Sequence, residues 1–136
     1  MGIKELQRKM VNSMFNFRNT QHDKDFHYLL NCYTKYTSSE PTDEWISTSY
    51  IISGIGLTDT FLSSLVQDMA LNYDSLIEKI SILPSAQKNL CRYAIQLSYP
   101  GSEKISFNQV VKNIAQDDLK LLLSAVDTHY FHKQLS

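Results

Sequence analysis

The stretch DKDFHYLLNCYTKYT, residues 23–37, decides the fold class. Phe26, Leu29, Leu30 and Tyr33 stand at offsets 0, 3, 4 and 7, the spacing that puts side chains on one face of an α-helix. The same template recurs in Phe107, Val110, Val111 and Ile114, and in Leu119, Leu122, Leu123 and Val126 with Tyr130 one turn later. Phe61, Leu62, Leu65, Val66 and Met69 form the related 0, 1, 4, 5, 8 stripe, and Leu90, Ala94 and Leu97 continue the theme. A strand needs strict alternation over roughly four to eight residues, and no segment shows it.

Working outward, the punctuation falls between these stripes. Pro41 precedes Thr42-Asp43-Glu44, a hydroxyl followed by two acids, which is how a helix begins. Side-chain oxygens accept from the unpaired first amides, and anions favour that end of the dipole. Thr58-Asp59, after Gly54-Ile55-Gly56-Leu57, marks another start. Pro84 suits a first helical turn, Pro100-Gly101 ends the helix carrying Leu97, Ser106 with Gln109 forms a capping box, and Gln116-Asp117 opens the last helix. The pattern predicts an all-α fold: a compact single-domain bundle of seven to eight short helices over residues 1–136. These cover about 3–17, 23–37, 43–54, 59–71, 73–80, 85–98, 106–115 and 118–132.

Composition sets the class. A chain of 136 residues is one domain, long enough to fold without a disulfide or metal. Thirteen basic and 14 acidic residues leave a net charge of −1, without the basic excess of a dedicated nucleic-acid binder. Cys32 and Cys91 form no CxxC and read as buried free thiols. No apolar h-region opens the chain, Leu6 breaks the myristoylation pattern begun by Met1-Gly2, and no apolar run reaches the roughly 18 residues of a membrane helix. The expected location is the cytoplasm.

Helix, polar turn, helix, break, helix runs from Leu29 to Val66 and again from Leu90 to Val126, around the turns TSSEPTDEW and SYPGSEKIS. This suggests a pseudo-symmetric bundle. The segment Ser53–Ser106, with Gly56-Leu57-Thr58-Asp59, Leu83-Pro84 and Leu90–Leu97 in order, resembles the tellurite-resistance TerB-like superfamily, a compact helical fold. The resemblance implies a non-catalytic cytoplasmic accessory protein of stress response or defence. The family's Asp-Gly loops are thought to hold a metal. Here Pro100-Gly101 stands in place of Asp-Gly and only Glu103 remains acidic, which puts metal binding in doubt; no metal or cofactor is expected.

Residue chemistry points away from catalysis. No Gly-x-Ser-x-Gly elbow, Cys–His signature, dinucleotide fingerprint or P-loop is present. His22 and His27 are five apart and His129 and His132 three apart, and neither pair has the three or four ligands of a transition-metal site nearby. Asp117 and Asp118 read as helix-start acids, and the basic N-terminal residues Lys4, Arg8, Lys9 and Arg18 as a solvated face. The eight tyrosines are more informative, because aromatics with a polar tip are enriched at binding hot spots. Tyr36, Trp45 and Tyr99 lie in or beside the two echoing turns, with Glu40, Asp43, Glu44 and Glu103. These seven are the expected contact residues for a protein partner. The alternatives are an immunity or antitoxin-type protein neutralising a toxin, and a divalent-metal-binding stress protein using the acidic first turn.

Overall fold

The computed structural model describes the backbone of residues 16–135 and the side chains of residues 16–127. Among the described residues seven α-helices follow one another: α1 Thr20–Thr37, α2 Asp43–Gly54, α3 Thr58–Leu62, α4 Tyr73–Ile80, α5 Ser85–Ser98, α6 Phe107–Val111 and α7 Gln116–Leu135. A 3-10 turn, Gln67–Met69, sits between α3 and α4. There is no strand among the described residues; only an isolated antiparallel bridge joins Leu65 to Leu71. The all-α bundle expected from periodicity is the fold observed. The helix expected over 3–17 falls almost wholly outside the described residues, as do the side chains of Tyr130, His129 and His132.

Local chemistry places the ends. The Asn19 side chain caps α1 by accepting from the His22 amide at 2.8 Å, so the helix starts three residues before the expected Asp23. Thr42 caps α2, accepting from the Trp45 amide at 3.1 Å. The Ser106–Gln109 capping box is complete. At the end of α2 the Leu57 amide reaches the Ile52 carbonyl and the Gly56 amide reaches that of Ser53. This is a Schellman motif, with Gly56 at φ +74° where a side chain would be strained. The Gly54-Ile55-Gly56 run is therefore a helix end, as read from sequence.

Two expected helices are shorter than their apolar stripes. In place of one helix over 59–71, α3 stops at Leu62 and the chain folds into the 3-10 turn, where Asp68 and Met69 both have positive φ. The helix expected over 106–115 stops at Val111, with Asn113 at φ 62°. Side-chain spacing does not register a backbone that leaves the right-handed region. The echo between the two halves is one of order: the turn-following helix has 12 residues in α2 and five in α6.

Helix α2 is the centre. Every residue from Trp45 to Ser53 is buried, and α1, α5 and α7 pack around it. Four of these nine are Ser or Thr, small enough for neighbouring backbones to come close. Two of the hydroxyls bond to those backbones: Ser47 Oγ donates to the Ala125 carbonyl of α7 at 3.3 Å, and Thr48 Oγ1 to the Ala94 carbonyl of α5 at 2.6 Å, while Ser53 Oγ donates to the Ser49 carbonyl of its own helix at 2.5 Å. Because Thr48 spends its proton there, Ser98 Oγ, 2.6 Å away, donates to Thr48. Trp45 Nε1 donates to the Leu29 carbonyl of α1 at 3.1 Å. Satisfied buried hydrogen bonds of this kind contribute about 1 kcal/mol each, and the stranded partner costs more when one is removed. Gly54 completes the fit: a Cβ there would lie 2.5 Å from Leu121 Cδ1 and 3.1 Å from His22 Cε1. Around this helix the core closes with Phe26, Leu29, Phe61, Leu76, Ile80, Leu90, Ile95, Val110 and Leu122.

His22 is built into the same seam. Its Nδ1 accepts from the Arg18 amide at 3.1 Å and its Nε2 lies 3.0 Å from the Tyr50 carbonyl. An amide can only donate and a carbonyl can only accept, so the ring is held neutral with its proton on Nε2. Burial lowers its pKa, and the positive charge of Arg18 acts in the same direction against the Tyr50 carbonyl and the Asp23 and Asp25 carboxylates. The unfolded chain therefore binds this proton at higher pH than the folded one. The contribution of neutral His22 to stability is complete above about pH 6.5, the ordinary histidine value, and is lost as the pH falls through the lowered folded value. Urea midpoints measured between pH 7.5 and 5 should fall with pH in the native protein and fall less in His22→Gln. Equal slopes would show that this ring does not govern the loss.

Candidate functional site

The two echoing turns meet. The end of α1, the start of α2, the end of α5 and the 3-10 turn enclose an open groove of about 400 Å³ lined by Tyr33, Thr37, Thr42, Glu44, Trp45, Asp68, Met69, Leu97, Ser98, Tyr99 and Pro100. Thr37 to Trp45 come from the first turn and Leu97 to Pro100 from the second, so the fold joins segments more than 50 residues apart in sequence.

Each wall has a local cause. Tyr33 lies on the helical stripe of α1, and its ring stands 5.3 Å from that of Trp45. Trp45 follows the Thr42 cap directly into the core and also packs on Phe61 at 5.4 Å. Tyr99 terminates α5 and donates its hydroxyl to the Met69 carbonyl at 2.6 Å. Burial, with Tyr33 adding to it, pushes the Tyr99 phenol up to about 12, so it stays a donor at any ordinary pH. The 3-10 turn is strained, since two consecutive non-glycine residues with positive φ cost roughly 1–2 kcal/mol each. It is held by the Val66–Ala70 and Ser64–Asn72 backbone bonds, by the bridge between Leu65 and Leu71, and by Tyr99.

Of the seven expected contact residues, three line this groove: Glu44, Trp45 and Tyr99. Trp45 is corrected from a displayed contact to the groove's floor, because it is only 2% exposed and its indole nitrogen is committed to Leu29. Tyr36 is 61% exposed, with the Lys35 ammonium 5.6 Å from its ring centroid, and stands outside the groove on α1. Glu40 and Asp43 belong to the same first turn without lining the groove. Glu103 is corrected as well. Its side chain is 8% exposed and its carboxylate receives Arg92 Nη2 at 2.6 Å, so it ties the 99–106 loop to α5. Burial raises the Glu103 carboxyl pKa, while the Lys104 amide hydrogen bond pulls it down.

Sequence reading missed Tyr33, Asp68 and Met69 as site residues. Tyr33 was absorbed into a core stripe, and Asp68 and Met69 into an expected helix. Asp is among the residues enriched at positive φ, and that was the only local signal for the turn.

Among the described residues no group of three or more His, Cys, Asp or Glu side chains assembles as a metal site. His27 pairs with Asp23 at 2.9 Å. Cys91 is buried, and burial pushes its thiol up to about 12, which leaves it unreactive. Cys32 is half-buried rather than buried as expected. No helix among the described residues is long and apolar enough to cross a membrane. A larger hollow of about 590 Å³ lies beside Asn16, Phe17 and Arg18, where Arg18 is committed to Asp118 at 2.5 Å.

Replacing Tyr99 by Phe removes the donor to Met69 and leaves the ring in place. Stability should fall by about 1 kcal/mol, and the Ala70 and Asn72 amides, which bond to Gln67 and Ser64, should exchange faster with solvent. Unchanged exchange at both amides would mean that the hydroxyl does not hold the turn.

No family model matches the chain, and no curated protein or solved structure matches it.

Proposed function

We propose that the protein is a non-catalytic accessory protein that binds a protein partner, working in the cytoplasm in stress response or defence as the TerB-like resemblance implies. The observation that carries this reading is the groove itself. Two loops and a strained turn enclose one concave surface, and the Tyr99 hydroxyl ties the turn to the second loop. Strained backbone persists where the surroundings over-determine it, and such places cluster at ligand clamps. The walls are aromatic, from Tyr33 and Tyr99 over the buried Trp45 floor, and the charged lining residues, Glu44 and Asp68, are both acidic. A matching partner segment presents a Lys or Arg side chain flanked by apolar residues: the cation meets the carboxylates and the ring faces, and its apolar neighbours cover the floor. The exposed Tyr36 and the acidic Glu40 and Asp43 extend this contact along the first turn.

The test is affinity capture from source cells with the tagged protein, in parallel with Glu44→Gln/Asp68→Asn and with Lys24→Gln as a distant control. Asn tolerates positive φ as well as Asp does, so the double variant keeps the turn. The expected result is one stoichiometric partner held by the native protein and the control, and held on the order of tenfold more weakly by the double variant. A captured toxin would assign the immunity role. Capture that is indifferent to the groove variants, or no capture at low salt, would overturn the reading.

A further inference from the structure

A second, smaller hollow lies between α5 and the 104–112 segment and has the opposite character. It is about 200 Å³ and is lined by Asn89, Arg92, Lys104, Ile105, Gln109 and Lys112. Its charged lining residues are all cations, although the whole chain carries −1. Neither the Lys104 nor the Lys112 ammonium has an ion-pair or hydrogen-bond partner among the described residues. Glu103, beside the hollow, occupies one nitrogen of Arg92, Nη2.

The neutral polar groups point the same way. The Ser106 amide donates to Gln109 Oε1 at 2.7 Å. An amide can only donate, so the Gln109 oxygen is turned to Ser106 and its NH₂ group is left as a donor. Arg92 Nη1 likewise donates to Asn89 Oδ1 at 3.4 Å, which leaves the Asn89 NH₂ group as a donor. Each amide oxygen already accepts one hydrogen bond, and the polar side-chain hydrogens lining the hollow are all carried on nitrogen. The frame is firm: Gln96 grips Ile105 in both directions, its Nε2 donating to the carbonyl and its Oε1 accepting from the amide, each at 2.9 Å.

We propose that this notch is a binding site for an oxyanion of the phosphate class, held by Lys104, Lys112, Arg92 and the Gln109 amide. Charge-assisted N–H donors facing one small volume are what a phosphate selects. The hollow is below the roughly 300–1,000 Å³ of sites that bury a drug-sized ligand, so it takes one such group, either free or carried on a larger molecule.

The test is a titration of the native protein followed by nitrogen–proton correlation spectra at constant ionic strength. The probes are inorganic phosphate, O-phosphoserine and acetate. The expected result is saturable shifts of the Gln109 and Asn89 side-chain amides and of backbone amides 104–112 with a phosphate probe, weakened on the order of tenfold in Lys104→Gln/Lys112→Gln. Both lysines are exposed, so the variant keeps the fold, which its unshifted core resonances would verify. Saturation with inorganic phosphate alone assigns the free ion. Equal or tighter saturation with O-phosphoserine assigns a phosphorylated ligand. Shifts that never saturate, that acetate reproduces, or that survive in the double variant would overturn the proposal.

Discussion

Helix α2 is buried along its whole length from Trp45 to Ser53, and the fold follows from how that is tolerated. A helix surrounded on every side must satisfy its neighbours sterically and chemically at once. Large side chains at every position would hold the surrounding helices apart. Ser47, Thr48 and Gly54 let them approach, and the two hydroxyls bond to carbonyls of α7 and α5 where those helices pass. The large residues of α2, Trp45, Tyr50, Ile51 and Ile52, fill the spaces that remain. Tyr50 also reaches outward, with its hydroxyl donating to the Asn16 carbonyl at 2.5 Å. Helices α1, α5 and α7 have buried and exposed faces because α2 is where their buried faces meet.

This arrangement explains what was legible in the sequence. Helices α1, α5 and α7 carry apolar stripes at helical spacing, and their existence and approximate extent were readable from Phe26 to Tyr33, from Leu90 to Leu97 and from Leu119 to Val126. The cap of α2 was readable in Thr42-Asp43-Glu44, but its central position was not. Ser and Thr are mostly surface residues, and a helix with four of them in nine positions does not announce burial. The 3-10 turn was hidden for the opposite reason, because Leu65, Val66 and Met69 continue an apolar stripe across a backbone that has stopped being helical.

The site was legible in part for a related reason. The two turns were recognisable as echoes rich in aromatics and acids, and the fold does bring them to one groove. Which aromatic faces outward depends on tertiary packing. Trp45 was drawn to the hub and Tyr36 was left outside, though both flank the same turn. Glu103 was turned inward by Arg92. Two of the concave surfaces among the described residues are opposite in charge, an acidic aromatic groove at the end of α5 nearest Tyr99 and a donor-lined notch beside Arg92. Both are set by loops pinned to the same helix.

The central claim is that α2 is the last element to come apart, because every neighbour must leave before its amides meet water. Native-state hydrogen exchange over a range of low denaturant concentrations tests it most directly. The account predicts that amides from Ile46 to Gly54 exchange only by global unfolding, with the full free energy and the full denaturant dependence. Exchange of these amides through a smaller opening, while those of α5 and α7 remain protected, would contradict it.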